Sequence, residues 1–202
     1  LPQITNVTFQ RGVDGVYDDA SVFAKDHALL VCFDVSDDNL VADSLQVRVN
    51  DGPALASTTS SECEGEHAFN YTATGDEAEG FTFLVIEASD VAGNRADETR
   101  ELSFDFSPPA LTVIAFNPPN VREGMTATLL LTANEPLAGN DLTSAPALTW
   151  VDDNDLAYEV TGRTTFGFEY QITVDGVDDG LYAIATVENL EDAVGNKATR
   201  WR

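Results

Sequence analysis

Oxygen ligands dominate the reactive side chains of this sequence. Of 202 residues, 35 are Asp or Glu and 10 are Lys or Arg, so the formal net charge is −25 at pH 7. Clustered carboxylates can collect hard cations such as Ca²⁺. The candidate clusters are Asp14/Asp18/Asp19, Asp37/Asp38/Asn39, Asp152/Asp153/Asn154/Asp155 and Asp175/Asp178/Asp179. None has the spacing of an EF-hand loop, and Asp and Asn also build hairpin turns. The turn reading is the simpler one, so no cofactor or metal ligand is assigned and calcium stays as the alternative.

Nucleophilic and zinc chemistry have little to work with. Hydrolases of the Ser/Cys–His–acid type need a histidine beside the nucleophile. His27 and His67 are the two histidines, and both fall at or near expected strand starts. There is no Gly-x-Ser-x-Gly, no His-Glu-x-x-His and no phosphate loop. Two cysteines and two histidines without paired spacing do not make a zinc site. Carboxylate pairs alone would suit a glycosidase, but two small sandwiches without large insertions leave little room for a cleft. No residue is assigned as catalytic, and the chain is not expected to be an enzyme.

One acidic pattern occurs twice. Gly80-Phe-Thr-Phe-Leu-Val-Ile-Glu-Ala-Ser leads into Asp90-Val-Ala-Gly-Asn94, and Gly180-Leu-Tyr-Ala-Ile-Ala-Thr-Val-Glu-Asn-Leu-Glu leads into Asp192-Ala-Val-Gly-Asn196. The two aspartates lie 102 positions apart, as do the two asparagines. That period is the length of one small β-sandwich, too long for a solenoid repeat. In each copy a strand runs into the motif and another follows, so the motif reads as a hairpin turn. Gly93 or Asn94, and Gly195 or Asn196, supply positive φ. Asp90 and Asp192 accept backbone N–H bonds.

The elements that hold these turns read as strands. In the first half they are Ile4–Gln10, His27–Val35, Ser44–Asn50, a weak run near Ala54–Thr58, His67–Thr72, Phe81–Ala88 and Thr99–Phe106. Leu29, Val31, Phe33 and Val35 share one face, with Cys32 and Asp34 on the other. In the second half they are Leu111–Phe116, Ala127–Ala133, Leu148–Val151, Ala157–Thr161, Phe168–Val174, Tyr182–Val187 and a last strand from Ala198. Gly, Asn and Asp punctuate them at sandwich spacing. Ser107-Pro-Pro109 marks the joint, because paired prolines favour an extended, stiff connection. The expected domains are residues 1–107 and 108–202, all-β.

Charge and cysteine content narrow the setting. No basic patch exists to neutralise phosphates, which disfavours nucleic acid and anionic membranes. The acidic surface suits solubility or high salt. No apolar run approaches the ~18 residues of a membrane span. Cys32 and Cys63 predict one disulfide and an oxidising compartment, with two buried thiols as the alternative. Asn6-Val-Thr8 and Asn70-Tyr-Thr72 fit the N-glycosylation pattern. Leu1-Pro-Gln-Ile4 reads as the lead-in to a strand, so the sequence is expected to be an excerpt of a longer protein.

Over nearly its whole length the chain resembles the bacterial immunoglobulin-like repeats of large surface and secreted proteins. Ser107-Pro-Pro109 resembles their joint. Leu129-Leu-Leu-Thr-Ala-Asn-Glu-Pro136 resembles their second strand, where the first half has Val31-Cys-Phe-Asp-Val-Ser-Asp-Asp38. Asp90-Val-Ala-Gly-Asn94 and Asp192-Ala-Val-Gly-Asn196 resemble their closing turn. The resemblance implies two tandem immunoglobulin-like β-sandwich domains in a bacterial extracellular or cell-surface protein. It implies a non-catalytic spacer or stalk supporting adhesion, its partners being other domains of the same chain or a host or cell-surface protein or glycan. The alternatives are a recognition module binding protein or glycan, and an accessory domain of a secreted hydrolase. The cysteine pair departs from the antibody pattern, since Cys32 lies on the Asp34 face, no Trp falls between the cysteines, and Leu130 stands where Cys32 would in the second copy. Trp150 reads as core and Trp201 as either core or surface. Tyr17, Tyr71, Tyr158, Tyr170 and Tyr182 are scattered, so no aromatic row for sugar stacking is expected.

Overall fold

The protein is seen in a computed structural model that describes residues 1–50, 52–151, 156–175 and 184–201. It divides into two compact units, Leu1–Phe106 and Ser107–Arg202. Among the described residues no helix is long and apolar enough to cross a membrane.

Unit 1 holds β1 (Gln3–Val13), β2 (Val16–Asp19), β3 (Val22–Phe23), β4 (Ala28–Ser36), β5 (Gln46–Val49), β6 (Leu55–Ala56), β7 (His67–Thr72), β8 (Gly80–Ser89) and β9 (Arg95–Phe104). One sheet runs β2-β1-β4-β7 and the other β3-β9-β8-β5-β6. With β2 and β3 set aside, that is the A-B-E and G-F-C-C′ order of an immunoglobulin-type sandwich. The seven strands read from the sequence are thus joined by two short ones. β2 folds back on β1 through a two-residue turn, with Val13 paired to Val16. β3 is a two-residue strand, too short to carry a period-2 signal, and it runs parallel to the end of β9. β1 also extends three residues beyond the expected Gln10, to Val13.

The core of unit 1 forms because alternate residues of both sheets meet. Leu29, Val31, Phe33 and Val35 of β4 and Phe69 of β7 pack against Val47 of β5, Leu84, Ile86 and Ala88 of β8, and Leu102 and Phe104 of β9. Burying one such side chain contributes roughly 1.5–3 kcal/mol. Farther along β9, Glu98 and Arg100 fall on the inward parity opposite Ile86 and Leu84 and form an ion pair. Inward-pointing charges blunt a strand edge against pairing with another chain.

Unit 2 holds β10 (Leu111–Asn117), β11 (Thr126–Ala133), β12 (Leu148–Val151), β13 (Ala157–Thr164), β14 (Gly167–Thr173), β15 (Ile184–Glu191) and β16 (Lys197–Trp201). Its sheets run β10-β11-β14-β13 and β12-β15-β16. This is the A-B-E-D and C-F-G order of the seven-strand form. Leu129, Leu131, Phe168, Tyr170 and Ile172 of one sheet pack against Leu148, Val187 and Leu190 of the other. The Tyr170 hydroxyl escapes isolation by donating to the Pro146 carbonyl at 2.8 Å.

Candidate functional site

The two closing turns are built alike. Ser89 pairs with Arg95, and Glu191 with Lys197, so residues 90–94 and 192–196 are five-residue hairpin loops. Gly93 and Gly195 supply the left-handed step, at φ 85° and 104°. The Asp90 carboxylate accepts from the Asn94 backbone N–H at 2.9 Å and from its side-chain amide at 2.6 Å. These bonds, the Asn94 amide foremost, hold the Asp90 carboxyl below the usual carboxylate range. Asp192 is 1% exposed. Its Oδ1 accepts from the N–H groups of Val194, Gly195 and Asn196 at 2.7–2.9 Å. Its Oδ2 accepts from the Asn196 amide at 2.8 Å. Both aspartates therefore brace their own turns.

Two described residues of the other acidic clusters, Asp18 and Asp37, also have partners. Asp14 sits at φ 50° in the β1–β2 turn, and Asp18 pairs with Arg11 at 3.0 Å. Asp37 Oδ1 accepts from the Asn39 N–H at 2.8 Å. Asp38 is exposed. Asp152, Asp153, Asn154, Asp155, Asp178, Asp179 and Tyr182 lie outside the described residues. Trp150 packs partly buried against the core of unit 2, and its indole N–H donates to the Leu156 carbonyl at 3.0 Å.

Both histidines have contacts within unit 1. His27 Nδ1 accepts from the Ala24 N–H at 3.0 Å. His67 stacks on Phe33 with ring centroids 5.7 Å apart. A recess of about 190 Å³ in unit 2 is lined by Ser144, Pro146, Phe168, Asn189 and Glu191 among others, below the range of ligand pockets.

Cys32 and Cys63 are joined, with Cα atoms 5.4 Å apart. Cys32 points away from the main core. With Leu30 and Ala68 it forms a second, small core on the outer face of the β2-β1-β4-β7 sheet, covered by Tyr17 and Cys63. Asp34 clamps the same segment by accepting from the Glu66 N–H at 2.9 Å and from the Asn6 amide at 2.7 Å. Those two donors, Asn6 first, lower the Asp34 carboxyl. The disulfide is a local staple between β4 and the approach to β7.

The feature the sequence reading passed over is on β8. Phe81 is 82% exposed and Phe83 53%. With half-buried Val85 they run along the outer face of the β3-β9-β8-β5-β6 sheet. On β9 their opposite numbers are Ser103, Glu101 and Thr99, and on β5 Arg48 lies opposite Val85. The stretch Phe81–Ala88 is apolar on both parities, so composition alone assigns no outward face. The register does, because Leu84, Ile86 and Ala88 precede Asp90 on the buried parity.

No family model matches the chain, and no curated protein matches it in sequence. Among solved structures it is similar to SGBP-B of the Bacteroides ovatus mixed-linkage glucan utilization locus, in complex with a mixed-linkage heptasaccharide. That match has 18% identity and a TM-score of 0.33, and it covers 98% of this chain and 46% of that one. The chain thus spans less than half the length of that protein. It is also similar to the titin domains z1z2 in complex with telethonin, at 15% identity and a TM-score of 0.36, covering 98% of this chain and 92% of that one. The immunoglobulin-type assignment rests on the strand order and cores described above.

Proposed function

We propose that this chain is a non-catalytic, immunoglobulin-like spacer segment of a bacterial cell-surface or secreted protein, supporting adhesion by carrying other domains of the same protein. The observation that carries this reading is that each unit closes its own two-sheet core. Each therefore resists unfolding as a separate element, as a load-carrying series requires. The disulfide fits an oxidising, extracellular setting. The acidic surface keeps neighbouring segments apart by mutual repulsion. Pro108 and Pro109 supply a short connector of limited freedom.

The test is to place the chain between a cell-surface anchor and a reporter binding domain and to measure cell capture on a reporter-ligand surface. Capture should survive replacement of the chain by an unrelated pair of β-sandwich domains and should fall when the chain is deleted. Failure of the unrelated pair would show that the segment does more than hold distance. Recognition is a second reading, favoured by the exposure of Phe81 and Phe83 alone.

A further inference from the structure

We infer that the outer face of β8 in unit 1 docks a basic protein partner. This goes beyond the spacer reading and does not depend on it. The apolar stripe is Phe81, Phe83 and Val85, each two residues from the next on a strand whose other parity is core. Period-2 spacing puts neighbouring side chains of the stripe about 7 Å apart. Such a patch can accept a few aliphatic side chains of an opposing chain. Aromatic anchors of this kind dominate interface energetics when a partner buries them.

The surroundings of the stripe decide the partner's charge. Glu101 lies opposite Phe83 on β9, and Asp97, farther along the same face, is also exposed. Arg48, across from Val85 on β5, is held by Glu87 at 2.8 Å. Glu101 is thus the carboxylate beside the phenyl rings, Asp97 lies farther off with exposed Arg95 two residues along the same face, and the Arg48 guanidinium is spent on Glu87. The whole molecule carries −25, which repels a second copy of itself and polyanions and steers cations inward. An apolar centre with a carboxylate beside it, on a strongly acidic chain, complements a surface of aliphatic residues flanked by Lys or Arg.

The probe is a short synthetic peptide of alternating leucine and lysine, titrated into the intact chain at low salt and followed by fluorescence anisotropy. The peptide should bind better than oligolysine of equal charge. The double variant F81S/F83S should lose about tenfold or more in affinity. E101K should lose several-fold and show a flatter salt dependence. Circular dichroism melts of both variants should overlay the parent, because the altered side chains are exposed. The inference is overturned if the parent does not bind the peptide, or if F81S/F83S binds it equally well. It is also overturned if a cello-oligosaccharide binds the parent and not F81S/F83S, which would make the face a glycan site. Self-association of the parent that F81S/F83S abolishes would assign the face to a second copy instead.

Discussion

The same strand of the sandwich meets opposite fates in the two units. In β4, inward Leu29, Val31, Phe33 and Val35 are buried, and so are outward Leu30 and Cys32. In β11, inward Ala127, Leu129, Leu131 and Ala133 are buried, but outward Leu130 is 41% exposed. The difference lies in what covers the sheet. In unit 1 the segment before β7 carries Cys63 across the outer face, and β2 brings Tyr17 over it. In unit 2 the corresponding region instead extends the sheet as β13, paired along β14. The inward parity makes the sandwich, whereas the outward parity is free to differ and records what each unit has gained.

The largest expected effect sharpens that contrast. The double variant C32A/C63A should cost unit 1 about 3–4 kcal/mol by the chain-entropy account for a 31-residue separation. Calorimetry should show the unit 1 transition move down and the unit 2 transition stay. Movement of both together would mean that the units do not melt separately.

The closing turns provide the next comparison. Asp192→Ala strands three backbone donors in a buried turn and should cost unit 2 about 2–3 kcal/mol. Asp90→Ala should cost unit 1 less, since the Asp90 carboxylate serves the Asn94 and Ala92 backbone N–H groups and the Asn94 amide, one backbone donor fewer than Asp192. Chemical denaturation of both variants checks the order, and a larger loss for Asp90→Ala would reverse it.

Acid should act on unit 1 through Glu77. Burial raises its pKa. The Thr74 backbone N–H and the Tyr71 hydroxyl outweigh that and bring it down to about 2. A carboxyl depressed on folding stabilises above its ordinary value and loses that contribution as pH falls toward the folded value. The melting temperature of unit 1 should therefore decline below pH 4.5 and keep declining toward about pH 2, and E77Q should flatten the decline. At the other extreme, burial and the bond to Glu77 push Tyr71 up to about 12. That stabilisation is complete below pH 10 and is lost as pH rises through about 12.

The smallest effect is on the β8 face. F81S/F83S should shift stability by no more than about 0.5 kcal/mol. A larger loss would place the two rings in the fold's own support, not on a free surface.

Much of this architecture is legible in the residues. Alternation in Leu29–Val35 and Ala127–Ala133, and the Asp-x-x-Gly-Asn turns, follow from interactions within a few residues of one another. β2 and β3 were not legible, because a four-residue and a two-residue strand carry too little periodicity. The β8 face was half legible. Its apolar residues are plain in the sequence, but a strand apolar on both parities does not say which side is wet.

The chain by itself determined the strand pattern, the turns and the negative charge, since those depend on residue type and short spacing. Tertiary packing decided which of two apolar parities became core. It buried Cys32 and Leu30 beneath a segment some 30 residues distant and left Phe81 and Phe83 outside. The physical reason is that burial belongs to pairs of surfaces brought together from far apart in the chain, and local sequence names only one member of each pair.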